Sequence, residues 1–288
     1  MTPLVPLVLA VALPAPPAEP APRLARYVLA ESSKTVSPAG ERASAVRGVV
    51  EVLGGMASWR LESGTFPRSR ANAVLLGERG GWLVDGKGSI AARISADDLR
   101  ALFVPPANGD PGPFRSAVRE VEVAAGAPER GSAFGGHATT RRSFTATWSL
   151  VTSMPGREAR IRTRLSAVFD LLDEPPAEVR SPLDDPGRLL DVPDTVREAL
   201  DPLLSSFRGF PVGIVVRTEA EQSVDYPGME APAPDGRRPL RMTSETTRAV
   251  SGLETRPAAK GDAAGFELSD AIRAVGLERL SEPRELLR

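Results

Sequence analysis

Two stretches of strict alternation, back to back, constrain this chain more than anything else in it. From Arg142 to Met154 the even positions read Arg142, Phe144, Ala146, Trp148, Leu150, Thr152 and Met154, and the odd ones read Ser143, Thr145, Thr147, Ser149, Val151 and Ser153. Successive side chains of a strand point to opposite faces, so this is a long strand with one apolar and one hydroxyl-rich face. Met154-Pro155-Gly156-Arg157 supplies a turn, and the return segment sets Ile161, Thr163, Leu165, Ala167 and Phe169 against Arg160, Arg162 and Arg164. The pair predicts an amphipathic antiparallel hairpin, which must bury its apolar side against something else.

Shorter signals of the same kind recur at Leu24 to Glu31, Ala43 to Leu53, Ala57 to Glu62, Ala71 to Glu78, Gly81 to Asp85, Ser89 to Ile94 and Ser116 to Ala125. They return at Val212 to Glu221, Pro239 to Val250 and Gly265 to Leu268. Gly-Gly, Asp-Gly-Lys-Gly and Pro-Gly connections are turn chemistry, so chain neighbours are expected to pair as a meander of about a dozen strands. Two helices interrupt it. Ser95-Ala96-Asp97-Asp98 resembles a capping box before Leu99 to Phe103, and Thr195-Val196-Arg197-Glu198 is a stronger one, leading through Leu200, Leu203, Leu204 and Phe207 to Gly209. Residues 271–288 are read as a short final helix. The expectation is a mainly β protein: one large curved antiparallel sheet, a half-barrel, with two or three short helices covering its concave apolar face.

Leu4 to Leu13 is an apolar run too short to span a bilayer, followed by small residues and prolines. It has the character of the h-region of a secretory signal, although the first basic residue is Arg23, so residues 1–20 are read as a signal and residues 21–288 as a single domain. A periplasmic or secreted location follows. No later apolar run approaches the roughly 20 residues of a membrane helix. Pro-rich loops are expected at 104–113, 174–193 and 227–238, the middle one long enough to be a mobile lid or a disordered segment.

Composition removes several function classes. The chain has no cysteine, which excludes disulfides, thiolate metal sites and a cysteine nucleophile. With 36 basic and 37 acidic residues interspersed, no basic face announces nucleic acid. The single histidine, His137, has no cysteine or second histidine with which to build a zinc set, so it is read as structural or exposed and no metal site is expected. There is no Gly-x-Ser-x-Gly elbow. Gly86-Lys87-Gly88-Ser89-Ile90-Ala91 superficially matches a nucleotide fingerprint, but a strand-like segment follows where a helix is required, so it is read as a hairpin turn. No catalytic motif or cofactor site emerges.

Two residue sets remain as binding candidates. Trp59, Trp82, Phe144, Trp148, Leu150, Leu165, Phe169, Leu200, Leu203 and Phe207 are core by default, and would line a lipophile site if the sheet and its helices leave space between them. Arg160, Arg162 and Arg164 project from one face and could hold phosphate or carboxylate groups. Their spacing favours the alternative, a ladder paired across strands with Glu219, Glu221, Glu120 or Glu122.

Gly136-His137-Ala138-Thr139-Thr140-Arg141-Arg142, entering a long strand, is similar to the glycine-then-strand element midway through domains of the LolA/LolB type, and Gly209-Phe210-Pro211-Val212 resembles their Gly-Phe-Pro-Leu turn. With the leader, the meander and the interrupting helices, the chain from Leu24 to Leu268 resembles the half-barrel of periplasmic lipoprotein carriers. The resemblance implies an apolar sheet face that shields a lipid, an acyl chain or a lipoprotein from water, and it carries over no catalytic residue. The chain departs from that pattern in lacking the cysteine often found after the central glycine and in its longer Pro-rich loops. An envelope structural or assembly factor and a hydrolase with a scattered site stand as the other readings.

Overall fold

The computed structural model describes residues 21–66, 69–77, 80–85, 90–94, 115–154, 157–180, 190, 192–225 and 240–267. Twelve strands form one antiparallel sheet that does not close. They are β1 (Arg23–Ser37), β2 (Gly40–Leu53), β3 (Met56–Leu61), β4 (Ala73–Gly77), β5 (Gly80–Asp85), β6 (Ile90–Ile94), β7 (Arg115–Ala125), β8 (Glu129–Arg130), β9 (Thr139–Met154), β10 (Arg157–Leu172), β11 (Phe210–Asp225) and β12 (Leu240–Pro257). The order across the sheet is β6-β5-β4-β3-β2-β1-β12-β11-β10-β9-β7, with β8 paired to β9. Among the described residues there is one α-helix, α1 (Asp194–Ser206), and two short 3-10 turns, Ala177–Val179 and Asp262–Phe266.

The predicted hairpin is present in the predicted register. Arg157 pairs with Met154 and Leu172 with Thr139, so the two strands run the full length of both alternating stretches. Elsewhere the turn chemistry sets the boundaries. Gly54 and Gly55 join β2 to β3 with φ of +56° and +85°, the left-handed values that a two-residue hairpin of the primed type needs and that only glycine adopts without strain. Gly48, inside β2, is required by close approach, because a Cβ there would overlap the carbonyl of Arg60 on β3. The 86–91 segment joins β5 to β6, which pair antiparallel from Asp85 and Ile90 onward, so it links strand to strand.

Neighbour pairing along the chain has one large exception. β6 and β7 are consecutive in sequence yet stand at opposite edges, and the sheet's continuity comes from β1 pairing with β12, more than 200 residues apart. A simple meander would have set β1 at an edge. Non-local pairing of this kind leaves no local signal.

Two large apolar clusters lie on one face, here called the inner face. The first joins β1 to β6 through Tyr27, Leu29, Val50, Val52, Trp59, Val74 and Leu83, and is covered by Phe66, Val179 and Phe210. Tyr27 meets Phe210 edge-on at 5.3 Å and Trp59 meets Phe66 at 4.9 Å. The second belongs to β9, β10, β11 and α1. The outer face of the β3–β6 end is apolar as well, with Ala73, Leu75, Val84 and Ala91 buried there. Strands buried on both sides show continuous apolar runs, which is why β4 reads Ala-Val-Leu-Leu with no alternation.

Several expectations need correction. Gly265 to Leu268 is not a strand: residues 262–266 form a 3-10 turn that buries Phe266 against Leu24 and Leu53. Arg256 fixes that turn through two bonds to the Asp262 carboxylate, at 2.8 and 2.9 Å. The guanidinium holds the Asp262 carboxyl below its ordinary value, with help from the Ala259 amide. The capping box at Thr195 does not form. The helix begins at Asp194 behind Pro193, whose carbonyl accepts from the amides of Val196 and Arg197, and no side chain caps it. It ends at Ser206 with Phe207 as its C-cap, within one residue of the expected end before Gly209. The 174–193 segment is not a free lid in its described part, because Val179, Leu190 and Val192 are buried and the Leu190 carbonyl accepts from Arg197 at 2.7 Å. The leader, the helix expected at Leu99 to Phe103, the 104–113 and 227–238 loops and the 271–288 tail lie outside the described residues.

Candidate functional site: the inner apolar face and the helix across it

Alternation in β9, β10 and β11 sends Phe144, Ala146, Leu165, Ala167, Phe169, Ile214 and Val216 to the inner face, where all are buried. Helix α1 lies over them. Val196 and Leu200, four residues apart, fall on one stripe of the helix and are fully buried in the cluster, joined by Leu190 and Val192 from the preceding segment. Phe207, at the helix C-terminus, closes one end: its ring meets Phe169 edge-on at 5.4 Å and Phe144 at 6.4 Å, while those two stack at 6.0 Å.

The closure is incomplete. Leu203, Leu204 and Phe207 pack on the cluster yet stay only half-buried, as do Val118, Val121 and Val123 on the edge strand β7. Farther along the same face Leu150 and Ile161 are half-buried, and Leu240 and Met242 of β12 are 55% and 43% exposed. The apolar surface therefore continues past the helix as far as Leu150 and Ile161, while Gln222 and Thr163 separate it from Leu240 and Met242.

The ten proposed lipophile-lining residues fall in four places. Phe144, Trp148, Leu165, Phe169, Leu200, Leu203 and Phe207 come together in the cluster under α1. Leu150 lies beyond it on the same face, by the alternation of β9. Trp59 is fully buried in the other inner cluster, and Trp82 faces the opposite side of the sheet, packed against Ala73, Leu75, Val84 and Ala91. Trp82 therefore does not belong with Trp59, which corrects the expected set: it pairs with Leu75, one residue out of phase with the Trp59–Val74 row.

The outer face carries the arginine row. Register sets Arg162 opposite Glu221 and Arg164 opposite Glu219, and Arg160 reaches Glu120 at 3.4 Å and Glu158 at 3.7 Å. An open groove of about 730 Å³ crosses β7, β9, β10, β11 and β12 here. Its walls carry Arg162, Arg164 and Arg241 together with Glu120, Glu122, Glu219 and Glu221, three bases against four acids. Each arginine lies beside a carboxylate, an arrangement of cross-strand ladders rather than an excess of positive charge. Glu120 sits in a β-bulge at φ +57° and accepts from the Ser149 hydroxyl at 2.7 Å. That bond, with Arg160 nearby, holds its carboxyl below the ordinary glutamate value.

One feature of the inner face was not anticipated. Glu31 of β1 and Arg248 of β12 sit opposite one another between the two apolar clusters, with 6% and 1% of their side-chain surface exposed. Arg248 donates from Nε to one Glu31 carboxylate oxygen at 2.7 Å, and its Nη2 stands 2.6 Å from the same oxygen as an ion-pair contact. Each occupies the inner phase of its strand, after Tyr27 and Leu29 in β1 and before Val250 in β12. Opposite charges at apolar positions of two strands are the signal that could have paired them. His137 closes an exposed turn, exchanging backbone bonds with Phe134 across Gly135 and Gly136. Among the described residues no three His, Asp or Glu side chains gather as a metal set, and no helix is long and apolar enough to cross a membrane.

No family model and no curated protein matches the chain. Among solved structures it is similar to the "putative outer membrane lipoprotein-sorting protein domain" from Vibrio parahaemolyticus, at 10% identity over 86% of this chain and 92% of that one, with a TM-score of 0.27. The likeness is loose at that score.

Proposed function

We propose that this is an exported cell-envelope protein that binds a lipophilic ligand, or the lipid part of a lipidated partner, between α1 and the inner face of β9 to β12. The observation that carries the reading is the incomplete closure of that face. Leu203, Leu204 and Phe207 remain half-buried over an aromatic floor, and the apolar surface runs on to the half-buried Leu150 and Ile161. Apolar surface left open beside a helix that could move or share it is the usual material of a lipophile site. The leader at Leu4 to Leu13 supports export. The sequence likeness of Gly209-Phe210-Pro211-Val212 to the carriers' turn points the same way.

A saturable titration with a fluorescent acyl probe tests it. Wild type is expected to bind, and Leu203→Glu to weaken binding about tenfold or more by placing a charge over the ligand, with circular dichroism unchanged. Failure of well-folded wild type to bind any acyl probe would overturn the proposal. An assembly role through strand addition ranks second, because β7, an edge strand among the described residues, is interrupted by the bulge at Glu120, a device that blunts an edge against pairing.

A further inference from the structure

The outer face of the β3–β6 end is closed off from water, and the path of the described chain shows what approaches it. Two rows of outward side chains cross these strands: Arg60, Ala73, Val84 and Ala91, then Ser58, Leu75, Trp82 and Arg93. Ala73, Leu75, Val84 and Ala91 are buried, with Trp82 half-buried against them. Ser58 is 1% exposed and its hydroxyl has no hydrogen-bond partner, so water does not reach that row either.

The chain comes to this face from beyond β12. The 262–266 turn buries Phe266 against Leu24 of β1 and Leu53 of β2, and the Gly265 carbonyl accepts from Arg60 of β3. The Phe266 carbonyl then lies over Gly77 of β4, where an added Cβ would stand 3.1 Å from its oxygen. Passing β1, β2, β3 and β4 in turn sets a direction, and β5 and β6 come next. Residues 268–288 follow. They open with Leu268, Ala271, Ile272 and Val275 at i, i+3, i+4 and i+7, a single helical stripe, with Asp270 and Arg273 on the opposite side.

We infer that residues 268–275 dock as an amphipathic helix on the outer face of β4 to β6 and close it with that stripe. The interface lies on the other side of the sheet from α1 and does not rest on the lipophile-binding reading. The dimensions agree: a helix from Leu268 to Val275 is about 12 Å long and about 10 Å across, and the strands from β3 to β6 span about 14 Å. A second copy of the chain fits poorly, because a patch of about 14 by 14 Å, roughly 200 Å², falls well short of the roughly 800 Å² that each partner of a stable complex buries. The 95–114 connection has a different task, to carry the chain from the β6 edge to the β7 edge, about 48 Å across the sheet.

Because the chain has no cysteine, Arg273→Cys gives the full-length protein one thiol and so one nitroxide. The Trp82 indole signal in NMR, assigned with Trp82→Phe, is expected to lose most of its intensity, while Trp148, on β9 and the other face, keeps its own. Without the label, Ile272→Asp/Val275→Asp is expected to speed amide exchange in β4 to β6 about tenfold or more and to leave β9 and β10 within about twofold. An undiminished Trp82 signal, exchange unchanged in the variant, or broadening that requires nitroxide and Trp82 on different copies would overturn the inference. So would Leu99→Asp speeding exchange in β4 to β6 where the tail variant does not, since that assigns the cover to the 95–114 connection.

Discussion

Arg248→Met isolates the most consequential polar contact in the sheet. Arg248 and Glu31 lie across from one another on β12 and β1, both buried, in a row continued by Ile214 and Phe169. Burial pushes the Glu31 carboxyl above the ordinary glutamate value, against the pull of the guanidinium. Replacing Arg248 with methionine keeps much of its length but strands the carboxylate in apolar surroundings, for which a loss of about 3–5 kcal/mol is expected at pH 7. The sign of the pH dependence follows. A carboxyl whose folded pKa lies above its unfolded one stabilises the fold fully below about pH 4.5 and loses that contribution as pH rises through the folded value. The cost of Arg248→Met should therefore shrink as pH falls from 7 toward 4.5. Glu31→Leu/Arg248→Met, which removes both charges, should return to within about 1 kcal/mol of wild type or exceed it. Urea denaturation of the wild type, the single variant and the double variant, at matched m-values, measures all three. A double variant as unstable as Arg248→Met, or a cost that does not change with pH, would refute the reasoning.

Face assignment in β9 is tested by two neighbours. Trp148→Asp puts a charge under α1 and should cost about 3–5 kcal/mol, while Thr147→Asp, opposite Arg164, should cost less than about 1, as read from denaturation midpoints. Glu120 should titrate below the ordinary glutamate range in a carboxyl-detected NMR titration, so its contribution to stability is present above about pH 4.5 and is lost as pH falls; Ser149→Ala should move it back up. If Leu4 to Leu13 acts as a signal, N-terminal sequencing of protein from the envelope should find a start between about Leu13 and Pro22, and deletion of Met1 to Ala18 should leave the protein in the cytoplasm. An intact Met1 on cytosolic protein would contradict that.

Local patterns made much of this fold legible. The β9–β10 hairpin could be placed to the residue because alternation on both arms and a two-residue turn agree, and the opposed Arg162 and Glu221 follow from the same period. What stayed hidden depends on distant partners. Nothing near Leu24 indicates that β12 will pair with it, and without that pairing β1 reads as an edge. Trp82 was put on the wrong face because β4 and β5 are buried on both sides, where apolar residues no longer mark one phase. The helix start was misjudged by a residue because Pro193 fixes the entry and its carbonyl serves the first amides, leaving the Thr195 hydroxyl no capping role. Of the candidate site, seven residues gathered under α1, since strand alternation and helix period each point an apolar face inward. The Glu31–Arg248 pair escaped because each residue alone looks like an ordinary surface charge.

The lipophile-binding claim is tested most directly on protein taken from the envelope of cells that make it, without delipidation, by native mass spectrometry. The account predicts a population carrying one added mass in the range of a single- or double-chain amphiphile, released by mild collisional activation and reduced in Leu203→Glu expressed to the same level. Wild-type protein that flies only at the mass of its own polypeptide, while remaining folded and competent to refold, would contradict it.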